Sequence, residues 1–201
     1  MRVLRSREHP RLAWKNGLGV SRIIAVSPDG AGYDTLRWQV SITEIASSCP
    51  FSRLPGLDRQ FMLLEGRGVE LDCHDEVAGT VIRHHIDTAF EPITFSGDWR
   101  TECRLTAGPV QAMNVVTRRG MASSRIAAHA ISERIVLERA PGESLVVMAA
   151  SGVVTAGSSG APLEARDAVL VDSQADGETP FLPVEGAQVQ LVAVTIRDPS
   201  R

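Results

Sequence analysis

The sequence predicts an all-β protein organised as two barrel-like halves. Three observations carry this: period-two alternation of apolar and polar residues, dense glycine and proline punctuation between short apolar runs, and an internal echo of turn and strand signals. With 201 residues, 43% of them hydrophobic, the chain can bury one large core or two small ones.

The clearest strand starts at Leu36, where Leu36, Trp38, Val40 and Ile42 alternate with Arg37, Gln39, Ser41 and Thr43. Successive side chains on a strand point to opposite faces, so the apolar set shares one face and the polar set the other. Residues 61–64, the run Glu65-Gly66-Arg67-Gly68 and residues 69–73 read as a β-hairpin, because glycine tolerates the positive φ of a tight reversal. Further strand signals fall at 21–26, 80–86, 93–95, 103–105, 114–117, 134–139, 145–147, 168–171 and 189–196. The one stretch of helical composition, 123–131, is short and lacks a strong amphipathic stripe. At an offset of 86 residues, Pro55-Gly56 falls on Pro141-Gly142, Met62 on Met148 and Gly66 on Gly152. The echo fits a half that enters its sheet through a Pro-Gly corner and reverses at a glycine, occurring twice; Pro-Gly and glycine also recur at the turns of any β protein. The polar stretch around Gly120 separates them, giving an N-terminal half, 1–120, and a C-terminal half, 121–201.

Charge narrows the partners. The net charge of −3 spreads over 24 acidic and 21 basic side chains with no long single-sign block. Neither a nucleic-acid footprint nor a membrane-surface patch stands out, which leaves small molecules and proteins. Cys49, Cys73 and Cys103 are widely spaced, with no C-x-x-C pair, so reduced thiols and a cytoplasmic location are expected. Arg2, Arg5 and Arg7 are followed by Pro10 and Trp14 rather than an apolar run, and no eighteen consecutive apolar residues occur, so neither secretion nor membrane spanning is expected.

Five blocks recur in a recognisable order: Trp14-Lys15-Asn16-Gly17-Leu18-Gly19, Trp38-Gln39-Val40-Ser41-Ile42, Pro50-Phe51-Ser52-x-x-Pro55-Gly56-x-Asp58-Arg59, Phe95-Ser96-Gly97-Asp98 and Asn114-Val115-Val116-x-Arg118-Arg119-Gly120. In order and spacing, residues 12–120 resemble the HutD/Ves family, while 125–201 match only a general cupin-like pattern. The resemblance implies a bicupin fold of two cupin-like (jelly-roll) barrels, a small-molecule pocket in the first, and an association with histidine utilisation. Three positions depart from the family pattern. Asn16-Gly17-Leu18-Gly19 replaces Asn-Gly-Gly-Gly, Trp38-Gln39 replaces Trp-Arg, and Ala112-Met113-Asn114 replaces Asp-Phe-Asn. Each alters the charge or the close backbone approach available to a ligand.

Lys15, Asn16, Arg59, Asn114 and Arg119 are donors in turn-adjacent or strand-end segments, where a barrel mouth collects side chains. Convergent donors suit an anion, and arginine grips a carboxylate through two parallel hydrogen bonds. The ligand-binding candidates are therefore Trp14, Lys15, Asn16, Ser52, Arg59, Asn114 and Arg119, for a small anionic metabolite; the family resemblance implies formylglutamate or urocanate. Alternatives stand beside them. Arg59 also suits a structural pair with Asp58 or another loop carboxylate, and Ser52 a turn-stabilising hydroxyl. Trp14 and Trp38 suit either a pocket wall or core. Of Arg118 and Arg119, adjacent on a strand, at most one enters a pocket.

Metal-binding cupins are similar to one another in a His-x-His pair with later Glu and His ligands, a pattern missing here. His84 and His85 are consecutive and face opposite ways, and His9, His74 and His129 are isolated. No metal and no cofactor is expected. Three functions fit: a sensor of a small carboxylate, a metal-independent isomerase or hydrolase on such an acid, with Glu44, Asp58 and Asp98 as candidate bases, and a regulatory partner protein acting as a homodimer.

Overall fold

The computed structural model describes residues 1–14, 19–158, 160–174 and 177–198. The chain opens with β1 (Arg2–Leu4) and a single turn of 3-10 helix at Ser6–Glu8. Ten strands follow: β2 (Arg11–Ala13), β3 (Gly19–Ser27), β4 (Trp38–Ile45), β5 (Cys49–Phe51), β6 (Leu57–Glu65), β7 (Val69–Asp75), β8 (Thr80–Ile86), β9 (Pro92–Ser96), β10 (Arg100–Leu105) and β11 (Val110–Arg118). The remainder is β12 (Ser123–Ile131), β13 (Ile135–Glu138), β14 (Glu143–Ser151), β15 (Val154–Ala156), β16 (Ala161–Leu163), β17 (Ala168–Val171), β18 (Glu178–Pro183) and β19 (Val189–Arg197). Two compact units result, Pro10–Gly120 and Met1–His9 with Met121–Arg201.

In the unit Pro10–Gly120 a six-stranded sheet, β2-β3-β4-β11-β6-β9, faces a four-stranded one, β5-β10-β7-β8. Ile45, Phe61, Leu63 and Ala112 from the first meet Phe51, Val69, Leu71, Cys73 and Cys103 from the second in one buried cluster. The alternation on β4 is present, yet neither face meets solvent: Trp38, Val40 and Ile42 are buried, and so are Gln39, Ser41 and Thr43. Ser41 is paired with Asn114 across to β11, so the polar face lines the inside of the cup.

The segment read as a hairpin at 61–73 is a corner instead. β6 hydrogen-bonds to β11 and β9, whereas β7 hydrogen-bonds to β10 and β8, so Gly66 and Gly68 carry the chain from one sheet to the other. Both glycines have positive φ, 87° and 72°. A side chain at Gly66 would meet the Val110 side chain at 2.8 Å and the Pro109 carbonyl at 2.9 Å. Residues 123–131 form β12, a full strand, because nine consecutive residues pair with β19; that pairing overrides weak helical composition.

The second unit repeats the plan, with sheets ordered β1-β17-β14-β19-β12 and β13-β18-β15-β16. The bounds of β6 and β14 coincide at the sequence offset of 86, and each strand is followed by a positive-φ glycine, Gly66 or Gly152. A Cβ at Gly152 would meet the Gln188 carbonyl and Val189 side chain, both at 2.9 Å, the counterparts of the atoms facing Gly66. The first nine residues lie in this unit and not in the N-terminal half where the sequence boundary put them. β1 pairs with β17 through Arg2↔Leu170, Val3↔Val169 and Leu4↔Ala168. Asp167 clasps the segment: it accepts from Arg5 Nη1 at 2.7 Å and from the Ser6 amide at 2.8 Å. Burial pushes the Asp167 carboxyl upward, but these donors and the Glu164 amide outweigh it and hold it below the usual range.

Two measurements check this frame. Replacing Asp167 with Asn removes a buried charge-assisted contact and is expected to cost roughly 2 kcal/mol in urea unfolding. His84 is the second probe: its Nε2 is buried without a hydrogen-bond partner among the described residues, and burial lowers its pKa from the ordinary 6.5. The folded state holds His84 neutral while the unfolded chain binds a proton below about pH 6.5. Stability from this group is full above that pH and falls as pH drops toward the depressed folded value. His84→Gln is expected to flatten the decline between about pH 6.5 and 5 in urea midpoints taken across that range.

Candidate functional site

At the open end of the N-terminal unit is a cavity of about 540 Å³. Its deep wall is built by neighbouring strands of the six-stranded sheet. Register sets Ser21 opposite Thr43, Asn114 opposite Phe61, and Arg59 opposite Phe95, so the side chains at Ser21, Thr43, Asn114, Arg59 and Phe61 share the cavity wall. Phe51, on β5, closes the wall from the other sheet.

Arg59 lies at its base, 8% exposed. The guanidinium carbon lies 5.0 Å from the Phe51 ring centroid and 4.9 Å from that of Phe95. Its hydrogen bonds are few and long: Nη1 donates to the Ser52 carbonyl at 3.3 Å and Nη2 to Asn114 Oδ1 at 3.4 Å. Nε has no partner among the described residues. Burial pulls the Arg59 pKa down to about 10, so the group is charged at neutral pH. No carboxylate among the described residues pairs with it; Asp58, the expected structural partner, is bound elsewhere.

That partner is Arg119. Its Nη2 donates to Asp58 at 2.7 Å and to Ser96 Oγ at 3.0 Å, and its Nη1 donates to Asp98 at 2.8 Å. The Asp98 carboxylate also accepts from the Gly56 amide at 2.7 Å, and that bond, with Arg119, holds its pKa below the usual range. Leu54 N donates to the Gly97 carbonyl and Gly97 N to the Leu57 carbonyl, at 2.7 and 2.8 Å. A Cβ on Gly97 would lie 2.7 Å from the Leu57 oxygen, so no larger residue fits this crossing. Pro55-Gly56, Asp58, Ser96-Gly97-Asp98 and Arg119 are therefore one corner lock, which fixes the ends of β6 and β9 where Arg59 and Phe95 sit.

Trp14 forms the opposite wall. Its Nε1 donates to Ser21 Oγ at 3.0 Å, and its ring meets Phe51 edge-on with centroids 5.9 Å apart. The ring fits because Gly19 lacks a side chain: a Cβ there would lie 2.8 Å from the indole. Trp38, the other tryptophan considered, is 1% exposed in the core.

Of the seven residues expected at the site, Trp14, Ser52, Arg59 and Asn114 line one cavity. Arg119 is in the corner lock, outside the lining. Lys15 and Asn16 lie outside the described residues. Arg118 does not enter either, since it donates to the Leu36 and Tyr33 carbonyls at 2.8 and 2.6 Å. The candidate bases are occupied elsewhere, Glu44 by Arg22 at 3.0 Å, Asp58 and Asp98 by Arg119. Burial raises all three cysteine thiols, Cys103 to about 12, so none is a thiolate at neutral pH. No three His, Cys, Asp or Glu side chains cluster with metal-holding geometry among the described residues. Sequence reasoning missed Phe51, Phe61 and Phe95 as site residues, and Ser21 and Thr43. The polar half of the β4 alternation was the available signal for Thr43.

A two-sheet cup with one polar open end defines this as a cupin-like all-β protein. A structure of a cupin 2 conserved barrel domain protein from Leptotrichia buccalis aligns with a TM-score of 0.54 at 12% identity, covering 92% of each chain. The chain belongs to the HutD family, whose profile matches residues 6–189. HutD from Pseudomonas fluorescens SBW25 aligns over 98% of both chains with a TM-score of 0.77 at 24% identity. Among curated relatives, an uncharacterised 21.2 kDa protein in the hutC 3' region of Pseudomonas putida is 29% identical over 58% of this chain and 57% of its own length. Protein Ves of Citrobacter koseri is 32% identical over 60% of this chain and 59% of its own. The chain thus matches less than two thirds of the length of either relative. No helix among the described residues is long and apolar enough to cross a membrane.

A buried cation with no counter-charge among the described residues is costly to the folded state. Arg59→Met, similar in length and apolar, is expected to raise the stability of the ligand-free protein by about 1–3 kcal/mol in urea unfolding.

Proposed function

We propose that this protein binds a small carboxylate-bearing metabolite in its N-terminal cup and acts as a sensor or regulator linked to histidine utilisation. The observation that carries this reading is the unpaired guanidinium of Arg59 at the base of the cavity. Both Nη groups now hold neutral acceptors at 3.3 and 3.4 Å, the long end of the hydrogen-bond range. A carboxylate would replace these with two parallel charge-assisted bonds of about 2.8 Å. The Asn114 amide beside it offers an N–H for a second oxygen, and Phe51, Phe61 and Trp14 cover the flat or aliphatic part of the guest.

The donors support an anion over a metal ion: beside Arg59 the described wall presents an amide and hydroxyls, its one carboxylate, Asp34, belongs to an exposed loop residue, and a cation beside Arg59 would be repelled. The neighbours support the histidine connection. One relative takes its name from the hutC 3' region, and the Pseudomonas fluorescens HutD structure was obtained in a formate condition.

Urocanate and formylglutamate are the first probes. At a concentration near 100 times its Kd, a true ligand is expected to raise the melting temperature by roughly 5–10 °C. The shift should vanish in Arg59→Met, although that variant is the more stable without ligand. A panel of small acids that leaves the wild-type melting curve unmoved would sink the reading.

A further inference from the structure

The exposed part of the cavity wall is not passive. Residues 28–37, between β3 and β4, bring Tyr33 and Asp34 to the cavity. This loop is tied down at several points. Leu36 is fully buried against Leu54, Leu57 and Val116, and the Thr35 and Leu36 amides donate to the Gly32 carbonyl. Arg118 is the main strut: its side chain holds the Leu36 and Tyr33 carbonyls, and its own amide donates to the Arg37 carbonyl at 2.7 Å. Three charged residues line the cavity among the described ones, Asp34, Arg53 and Arg59. Arg53 is neutralised by Glu76 at 2.6 Å. Asp34 has no hydrogen-bond or ion-pair partner among the described residues. The cavity therefore has one free positive end, deep, and one free negative end, at the exposed mouth.

We infer that the loop carrying Tyr33 and Asp34 is the specificity wall of this site. Asp34 selects carboxylates whose far end is neutral or cationic and rejects dicarboxylates, and Arg118 positions it. The inference rests on the carboxylate reading above and narrows its ligand class. With its first carboxylate on Arg59, a dianion turns its second toward Asp34, where the described wall offers no unpaired cation. Like charges several ångströms apart in a partly solvated cleft disfavour binding on the order of fivefold. A protonated nitrogen at the same place gains by a similar factor. Urocanate, a monoanion, satisfies this pattern, and formylglutamate, a dianion, does not.

The test uses three probes of one chain length, pentanoate, 5-aminopentanoate and glutarate, titrated calorimetrically into the full chain. The wild type is expected to bind the first two about fivefold or more tighter than glutarate. In Asp34→Asn, an exposed substitution, glutarate should improve until the three agree within about twofold. Arg118→Ala keeps the Asp34 charge but frees the loop, and should narrow the same ratio while the far-ultraviolet circular dichroism stays unchanged. An unaltered ratio in Asp34→Asn, with binding still abolished by Arg59→Met, overturns this inference alone. Glutarate binding tightest in the wild type and weakening in Arg53→Ala overturns it as well, by showing that Arg53 leaves Glu76 for the ligand. If none of the three binds the wild type, the inference and the carboxylate reading fall together.

Discussion

A guanidinium held between two phenyl rings, with no carboxylate beside it among the described residues, is the constraint around which the N-terminal cup is arranged. Removing a charge from water is expensive, and folded proteins ordinarily offset it with an opposite charge at contact distance. Here the nearest carboxylate in sequence, Asp58, is adjacent on a strand and so points the other way, where Arg119 claims it. The alternation that places Arg59 in the cup therefore also denies it a partner. What remains is a cation softened by ring faces and two long hydrogen bonds to neutral oxygens. Such a group is poorly satisfied in the folded state, and on the proposed reading a carboxylate guest satisfies it better.

The motif residues divide into those that touch the cavity and those that hold the touching ones still. Arg119 is the clearest case of the second kind. Standing at the end of β11, it joins Asp58 on β6 to Ser96 and Asp98 at the end of β9, so three segments meet at one side chain about half exposed. Single surface ion pairs contribute little, but one arginine making several bonds across three segments restricts their relative motion. Arg118, its neighbour, points to the other side and pins the 28–37 loop instead. Sequence reasoning allowed one of the pair into the pocket; strand alternation split them between two struts, and neither reaches it.

How much was legible follows from which interactions are local. Runs of β-forming residues bounded by turn residues are local signals, so β8 at 80–86 and β17 at 168–171 were readable to the residue. Several missed strands carry proline: β5 holds Pro50, β16 holds Pro162 and β18 holds both Pro180 and Pro183. Their pairing comes from distant partners, and proline removes the donor that local rules look for. The false hairpin at 61–73 has the same origin. Positive φ at Gly66 and Gly68 is visible in the sequence, but whether the chain then returns along the same sheet or crosses to the facing one depends on Val110 and its neighbours far away. At the site, Arg59 and Asn114 were legible as polar residues in strand context. The aromatic clamp was not, because Phe51, Phe61 and Phe95 read as ordinary core until register brings them round one guanidinium.

The repeat supplies an internal control for this reading of the first cup. Aligning β6 with β14, β11 with β19 and β9 with β17 by their ladder partners sets Arg59 on Leu145, Asn114 on Ala193, Phe61 on Val147 and Phe95 on Val171. Leu145, Val147, Val171 and Ala193 are all buried in the apolar cluster of the second unit, with Phe181 and Leu163 from its facing sheet. The same backbone plan thus carries an apolar cluster at these positions in one copy and a polar cavity wall in the other. Burying those apolar side chains favours folding, whereas a buried arginine and a cavity oppose it. The scaffold does not need Arg59 or Asn114 to close its sheets, since the second unit closes the same sheets without them. On the proposed reading, the carboxylate guest accounts for their presence in the first unit.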